Sequence, residues 1–283
     1  MQPSLSRLTE QGWSLPEASA DGVHYARSIH GEPISYPDEG FEVLGLEGGS
    51  GFWFDHRARA VAALMLRLRI QSMWEVGSGT GAMAKRLTAT IPDIIAIEPL
   101  AQGARAAASQ GLTSLCGTLQ DFRLPDSSLN CIGAFDVLEH LPDDSALIAE
   151  FRRVLRPGGV VLVTVPALQC MWGDEDDVAG HFRRYSRGRL RSAFTDQGFT
   201  PIAVEYLYAS LIPPAALVRA LPYRLGRRRP AQEVLERMRK QLDVSPAIDR
   251  VAASALAVEA RASRVFPLPL GLSLVGAFGA PTR

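Results

Sequence analysis

The chain has 283 residues, 47% of them hydrophobic, and its 30 Lys and Arg residues balance 30 Asp and Glu residues, so nothing in its charge indicates a nucleic-acid-binding protein. Three widely separated cysteines indicate reduced thiols and argue against a disulfide framework or a zinc site. Because no apolar run reaches 18 residues and the N-terminus lacks the apolar core of a signal peptide, we expect a cytoplasmic protein without a transmembrane helix or membrane contact.

Strand and helix patterns alternate along the middle of the chain. Residues 1–50 are rich in Gly, Pro and Ser and predict an irregular arm, and residues 52–69 have the apolar spacing of a helix. The predicted strands that follow are 72–76, 93–98, 112–116, 130–136 and 158–165. The predicted helices among them are 81–90, 101–110, 143–155 and 187–197. This alternation is typical of βαβ units around a parallel sheet.

The pattern changes after residue 200. We predict a sixth strand over 200–208, helices over roughly 230–242 and 246–265, and a last strand over 272–279. We expect four regions. They are an N-terminal arm over 1–50, a cofactor-binding core over 51–208, a helical insertion over 209–270 that forms a lid near the strand ends, and a segment over 271–283 that returns the last strand to the core. The basic stretch 219–240 is interpreted as a solvated helix surface in preference to an anion-binding one.

The stretch EVGSGTG, residues 75–81, joins the first core strand to the next helix. Its glycines, Gly77, Gly79 and Gly81, leave the backbone uncovered at a helix start, so a ligand can lie directly on the turn. The spacing also fits a dinucleotide site. However, Glu75 suits a ligand with a cationic amine better than a diphosphate, and Glu98, at the end of the next strand, suits the ribose hydroxyls of either ligand.

The segments EVGSGTG, IEPL, GTLQDFRLPD, FDVLEHLPDD and LRPGGVVLVTVP follow one another in an order that resembles class I S-adenosylmethionine-dependent methyltransferases, over about residues 50–200. The flanking segments GFWFDHRAR and GHFRRYSRGRL resemble a bacterial subgroup with small-molecule or uncharacterised members. The resemblance implies an α/β, Rossmann-like, doubly wound sheet of seven mainly parallel strands, with the antiparallel last strand beside the fifth. It also implies an enzyme that uses S-adenosylmethionine as its cofactor.

The same resemblance implies roles for individual residues. Glu75 would act near the methionyl amine of the cofactor, Glu98 would bind the ribose hydroxyls, and Asp121 is an alternative to Thr118 for the amine of adenine, because many relatives have Asp or Asn where Thr118 stands. The implied cofactor-binding residues are Trp53, Arg57, Glu75, Gly77, Ser78, Gly79, Gly81, Glu98, Pro99, Thr118, Leu119, Asp121, Phe135 and Asp136.

Methyl transfer is an in-line displacement at a reactive sulfonium, so positioning and desolvation do much of the work. A base is needed only where the acceptor must lose a proton. The candidate catalytic residues are His140, His181, Asp136 and Tyr185, with Glu139 as a further candidate base. The candidate acceptor contacts are Trp172, His181, Arg184 and Tyr185. Structural roles stay open for several of these, including ion pairs between the arginines and the acidic run 174–177, and no metal site is predicted.

The acceptor itself stays open. We favour a small molecule, such as a natural-product intermediate, methylated on oxygen, nitrogen or carbon. A peptide or lipid-linked acceptor is an alternative that the basic stretch favours. A non-catalytic, S-adenosylmethionine-binding partner subunit is an alternative of another class, and an NAD-dependent oxidoreductase is a third that Glu75 argues against. We expect a monomer or a homodimer.

Overall fold

An eight-stranded sheet is the centre of the computed structural model, which describes residues 3–27, 51–242, 246–263 and 265–282. In chain order the strands are β1 (Val23–Tyr25), β2 (Ser72–Val76), β3 (Asp93–Glu98), β4 (Thr113–Cys116), β5 (Leu129–Phe135), β6 (Leu155–Pro166), β7 (Thr200–Leu207) and β8 (Ser273–Gly279). Their order across the sheet is β1-β4-β3-β2-β5-β6-β8-β7. The neighbours from β1 to β6 pair in parallel, and β8 is antiparallel to both β6 and β7.

This topology confirms the predicted fold class and adds one strand to it. The seven strands β2 to β8 are those predicted, and β8 lies antiparallel beside β6, the fifth of them. The additional strand, β1, pairs with β4 at one edge of the sheet. With three residues it is too short to show a strand periodicity in the sequence.

The N-terminal arm was predicted to be irregular, and its described part contains one helix and one short strand joined by irregular backbone. Residues Pro3–Glu10 form helix α1, whose Leu8 is fully buried in the core. The indole of Trp13 packs edge-on against Trp74 at a ring distance of 5.9 Å and donates a hydrogen bond to the carbonyl of Phe122. The apolar positions of this segment therefore pack onto the core; residues 28–50 of the predicted arm lie outside the described residues.

Helices cover both faces of the sheet, as the alternating pattern predicted. They are α2 (Phe52–Arg67), α3 (Ala82–Leu87), α4 (Ala101–Ser109), α5 (Ser145–Val154), α6 (Asp174–Val178) and α7 (Arg187–Thr195). Successive residues of a strand point to opposite faces. Accordingly Trp74 packs in one apolar cluster with Phe151 of α5, whereas Met73 packs in a second cluster with Val61 of α2.

The segment after β7 is helical, as predicted. It contains α8 (Ile212–Ala215), a π-helical turn (Ala216–Ala220), α9 (Leu221–Arg224), α10 (Ala231–Leu242) and α11 (Pro246–Ala262). Helix α11 packs on α2, and α10 packs on α6. The carboxylate of Glu259 in α11 accepts hydrogen bonds from the backbone of Ala209 and Ser210, at 3.1 and 2.7 Å. These bonds fasten the segment to the end of β7.

None of the helices in the described ranges is long and apolar enough to cross a bilayer. The division of the chain into four regions, the cytoplasmic location and the monomeric or homodimeric state stay predictions.

Candidate active site

A cavity of about 770 Å³ lies at the carboxyl ends of β2, β3, β4 and β5. This end of a parallel sheet is where α/β proteins bind their ligands, and the volume falls within the range of small-molecule sites. The start of α2 and the turns after the four strands form most of the wall. Arg219 of the π-helical turn and Leu235 and Met238 of α10 complete it, so the helical insertion contributes directly to the site.

The glycine turn approaches the cavity with bare backbone. Gly77 has a φ of +70°, and a Cβ on it would lie 2.6 Å from a methyl group of Val137. Gly77, Ser78 and Gly79, three of the predicted cofactor-binding residues, line the cavity. Gly81 does not. With a φ of +80° it precedes α3 in a left-handed conformation, and a Cβ there would meet Leu112, so this glycine shapes the helix start and does not contact the ligand site.

Glu75 is a buried acid with an open acceptor atom. Its side chain lines the cavity, it is 2% exposed, and its Oε2 accepts no hydrogen bond from the described residues. Burial raises the pKa of Glu75 to about 8; a backbone hydrogen bond from Ala84 opposes this rise and the charge of Glu98 adds to it. A cationic ammonium group bound beside Oε2 would supply the missing partner and favour the ionised form. The residue therefore fits the methionyl amine of S-adenosylmethionine.

Glu98 is held with both carboxylate oxygens toward backbone donors. Its Oε2 accepts from the N–H of Gly79 at 2.8 Å and its Oε1 accepts from that of Leu100 at 2.9 Å. Burial raises the pKa of Glu98 to about 7 against the effect of these two bonds. A carboxylate has about four acceptor sites, so two oxygens with one bond each retain capacity for a pair of hydroxyl donors. This geometry fits a ribose diol.

The predicted adenine contacts lie together in the next part of the wall. Pro99, Thr118, Leu119 and Asp121 all line the cavity, and Leu119 is buried. The Oδ2 atom of Asp121 accepts from the backbone N–H and the hydroxyl of Thr118, at 2.8 and 2.7 Å. Thr118 and Asp121 therefore form one fixed polar unit beside an apolar slot, which suits a flat heterocycle with an amine at its edge.

Arg57 and Asp136 form an ion pair in the cavity wall, in which Arg57 is buried and Asp136 is partly exposed. The Nη1 of Arg57 donates to Asp136, whose other oxygen accepts from the hydroxyl of Thr164 at 2.9 Å. Asp136 directly follows β5 and has a φ of +55°. Trp53, beside Arg57, stacks on Tyr208 with ring centroids 3.8 Å apart. Trp53, Arg57 and Asp136, with Phe135, line the cavity, but Arg57 already has a carboxylate partner within the chain.

His140 and His181, from separate segments, meet in the same wall. Their rings are 4.7 Å apart and nearly perpendicular. Burial, together with the neighbouring His181, lowers the pKa of His140 to about 3. A histidine with that pKa is neutral at physiological pH but is a weak proton acceptor, so the structure gives His140 little capacity as a general base.

Asp176 binds three residues beside His140 in the cavity wall. It is fully buried, and its carboxylate accepts from Nε and Nη2 of Arg184, each at 2.8 Å, and from the backbone of Gly173 at 2.9 Å. Its Oδ1 also lies 2.8 Å from Nδ1 of His181. Burial alone would raise the pKa of Asp176, but the hydrogen bond with His181 and the charge of Arg184 lower it to about 2.

Three of the predicted acceptor residues have polar partners within the chain. Arg184 lines the cavity, but its guanidinium is bound to Asp176, so the ion-pair alternative is the arrangement observed. Tyr185 is fully buried outside the cavity wall and donates its hydroxyl to Asp144 at 2.6 Å, so its catalytic and acceptor-binding roles stay predictions. Trp172 also lies outside the wall and donates to Asp177 at 2.8 Å.

Sequence reasoning missed several residues that shape the site. Asp176 was one of four consecutive acids, and nothing in that run shows that three of them are buried or that Asp176 is the one bound by Arg184 and His181. Arg219, Leu235 and Met238 come from a segment whose helices could be predicted but whose facing surface could not. Glu139 was named only as a further candidate base, and the VLEH segment was the signal that pointed to it.

The fold is Rossmann-like, and the geometry of the site fits S-adenosylmethionine as the cofactor. A family model described as a methyltransferase domain matches residues 46–204, more than half of the chain. The protein therefore belongs to the methyltransferase domain family.

Individual relatives agree with this assignment. The chain is 26% identical over 161 residues to a probable S-adenosylmethionine-dependent methyltransferase of Mycobacterium tuberculosis, a match covering 56% of this chain and 59% of the relative. It is 26% identical over 166 residues to trans-aconitate 2-methyltransferase of Deinococcus radiodurans, covering 55% and 61%. The chain thus spans about six-tenths of the length of these curated relatives.

A solved S-adenosylmethionine-dependent methyltransferase of Thermotoga maritima superposes with a TM-score of 0.53. The superposition covers 87% of this chain and 94% of that one at 18% identity. At this identity the likeness shows the fold alone.

Proposed function

We propose that the protein transfers the methyl group of S-adenosylmethionine to a small-molecule acceptor held in the same cavity. The observation that carries this proposal is the open acceptor atom of Glu75, buried at one end of a cavity whose other end is lined by the polar cluster around Asp176. One end matches a cationic, ribose-bearing cofactor, and the other offers side chains that can orient a second molecule.

The residues of the chain divide the work in this proposal. Bound S-adenosylmethionine supplies a sulfonium methyl group that is ready for displacement. Glu75 would hold the cofactor's ammonium group, Glu98 its ribose hydroxyls, and the slot beside Leu119 its adenine. Because the helical insertion covers the cavity with Leu235 and Met238, it would also keep water from the reacting atoms.

The charges in the wall favour a neutral or cationic acceptor. Three arginines line the cavity, and each already has an acidic partner: Arg57 with Asp136, Arg184 with Asp176, and Arg219 with Glu175 at 3.2 Å. A polyanionic acceptor would have to separate one of these pairs. The relative named trans-aconitate 2-methyltransferase supports a small acceptor by size alone, because trans-aconitate is a tricarboxylate and its charge is opposite to the one that this wall favours.

A turnover assay with methyl-labelled S-adenosylmethionine tests this proposal. The protein is incubated with three fractions of one cell extract: filtered small molecules, proteins and lipids. We expect S-adenosylhomocysteine release and label in the small-molecule fraction, with Glu98→Ala strongly reduced. Label only in the protein or lipid fraction would contradict the small-molecule acceptor, and no release with any fraction would favour a non-catalytic binding subunit.

A lipid-linked acceptor is the second candidate, and exposed apolar side chains on the insertion favour it. Leu217 and Leu225 are 66% and 64% exposed, and Leu221 is exposed between them. Arg224 and Arg227 lie in the same stretch. Apolar side chains beside basic ones are typical of segments that lie on anionic membranes. Binding to vesicles with anionic lipid, lost in Leu217→Ser/Leu225→Ser, would support this candidate.

A further inference from the structure

Three potential metal ligands meet in the cavity wall. Glu139, His140 and His181 bring ligand atoms within 4.8 Å of one another, and all three line the cavity. Ligand atoms at about 2.1 Å from one zinc-sized ion can lie at most about 4.2 Å apart. Small rotations of these side chains would therefore be enough to enclose an ion.

Glu139 is the member of this cluster that most needs a partner. It is fully buried, and neither of its carboxylate oxygens accepts a hydrogen bond from any other residue in the described ranges. Leaving a buried carboxylate without donors is costly, and a bound cation removes that cost. The charge of Arg57 also acts on Glu139, but Arg57 is already paired with Asp136.

His181 is oriented in the manner of a metal-binding histidine. Its Nδ1 lies 2.8 Å from the carboxylate of Asp176. Arg184 donates one hydrogen bond to each oxygen of that carboxylate. Because an ionised carboxylate only accepts hydrogen bonds, this contact favours the tautomer of the neutral ring with the proton on Nδ1 and the lone pair on Nε2. Metal-binding histidines commonly use the outer nitrogen in this way, with a carboxylate fixing the ring.

We propose that Glu139, His140 and His181 bind one divalent transition-metal ion in the wall of the cavity. Two imidazoles and one carboxylate suit zinc, cobalt, nickel or iron better than magnesium or calcium, which prefer all-oxygen sites. Three protein ligands leave a coordination position open. An oxygen or nitrogen of the acceptor would occupy it, a role that rests on the proposed function, whereas the binding of the ion does not. This assignment departs from the prediction of no metal site.

Cobalt(II) titration of chelator-treated protein tests the proposal, with visible absorption as the readout. We expect about one Co²⁺ per chain in the wild type. Glu139→Gln and His181→Ala should each weaken binding at least ten-fold. His24→Ala is the matched control, because His24 lies in β1 at the edge of the sheet; it should bind Co²⁺ like the wild type.

Binding of S-adenosylhomocysteine by the same samples separates this proposal from the proposed function and shows that each variant is folded. Wild type that binds S-adenosylhomocysteine but no cobalt overturns the metal site and leaves the cofactor site intact. Wild type that binds cobalt but no S-adenosylhomocysteine supports the metal site and contradicts the cofactor site. Undiminished cobalt binding in both Glu139→Gln and His181→Ala, or an equal loss in His24→Ala, also overturns it.

Discussion

The two ends of the cavity are held together by different kinds of contact. At the cofactor end, Glu75 and Glu98 stand at the ends of the neighbouring strands β2 and β3, and Glu98 is fixed by backbone N–H groups. At the acceptor end, Asp176, Arg184 and His181 are fixed by one another's side chains. The backbone of the sheet therefore forms the cofactor end. The acceptor end depends on a buried network of side chains from segments that lie outside the strands.

Because of this difference, substitutions at the cofactor end should lower ligand affinity, and substitutions at the acceptor end should lower the stability of the fold. Glu75 has an open acceptor atom, so replacing it should weaken ligand binding without unfolding the protein. Asp176 has its acceptor capacity filled from within the chain, so replacing it should unfold the region before it affects any ligand. The variants below test the two ends against each other.

Asp176→Ala should destabilise the protein most. It leaves the buried guanidinium of Arg184 without its partner, and breaking a buried pair in this way costs about 3–5 kcal/mol. Urea denaturation measures the change in free energy of unfolding. Asp177→Ala is the control, because Asp177 is about half exposed and its loss should cost under about 1 kcal/mol. Equal losses in the two variants would contradict the buried network.

Glu75→Gln should weaken S-adenosylmethionine binding about 100-fold, since removing one charge of a buried pair costs about 2–5 kcal/mol. The free energy of unfolding should not fall. Calorimetric titration gives the affinity, and Glu10→Gln on the exposed end of α1 serves as the control. An affinity loss no larger than that of the control would remove Glu75 from the cofactor site.

The raised pKa of Glu75, about 8, predicts a pH dependence. Below that pH the empty site is protonated, and a cationic ligand favours the ionised form, so binding should release a proton and tighten as pH rises toward 8. Titration in buffers of different ionisation enthalpy measures the release. In Glu75→Gln the release should shrink to the part that Glu98, with its pKa of about 7, contributes.

The same shift has the opposite sign for stability. The folded protein holds more protons than the unfolded chain between the ordinary pKa of Glu75 and about 8, so its stability falls as pH rises through that range. Glu75→Gln lacks this loss and should raise the melting temperature more at pH 8 than at pH 5, by about 3 °C or more. An equal change at both values would show that Glu75 ionises normally.

Gly77→Ala and Gly79→Ala compare two glycines of one turn. Both have positive φ, which costs alanine about 1 kcal/mol. Only at Gly77 would the new methyl group meet Val137. We expect Gly77→Ala to weaken S-adenosylhomocysteine binding about ten-fold and Gly79→Ala only a few-fold by calorimetry, allowing about 1–3 kcal/mol for overpacking. The reverse order would mean that Gly79 makes the closer approach to the ligand.

Tyr185→Phe should have the smallest effect. It removes the hydroxyl that donates to Asp144, at a cost of about 1 kcal/mol in stability. Once an acceptor is known, the rate of methyl transfer should stay within a few-fold of the wild type. A large loss of turnover with unchanged stability would return Tyr185 to the reacting site.

The cofactor end could be predicted from the sequence because its signals are local. Glu75 and Glu98 each end an apolar run that is buried on both faces of the sheet, and the glycines follow directly. Strand bounds such as 93–98 were predicted to the residue for the same reason. A short edge strand such as β1 carries no comparable signal, because three residues do not establish a periodicity.

The acceptor end could not be predicted in the same way. Which partner each acid of the run 174–177 binds depends on the loop after β6 and on α10, which packs on α6. The sequence therefore left Arg184 between a ligand contact and an ion pair, and assigned Tyr185 to a site that its buried ring does not reach. Tertiary packing determines which distant side chains pair, and the spacing of motifs in the sequence does not predict it.

Calorimetric titration of the wild type and Glu98→Ala with S-adenosylmethionine, S-adenosylhomocysteine and NAD should come before all other experiments. We predict that the two adenosyl ligands bind the wild type, that NAD does not, and that Glu98→Ala weakens adenosyl binding at least ten-fold through the loss of its ribose contacts. A preference for NAD, or equal adenosyl binding by wild type and Glu98→Ala, would contradict the cofactor site described for Glu75 and Glu98.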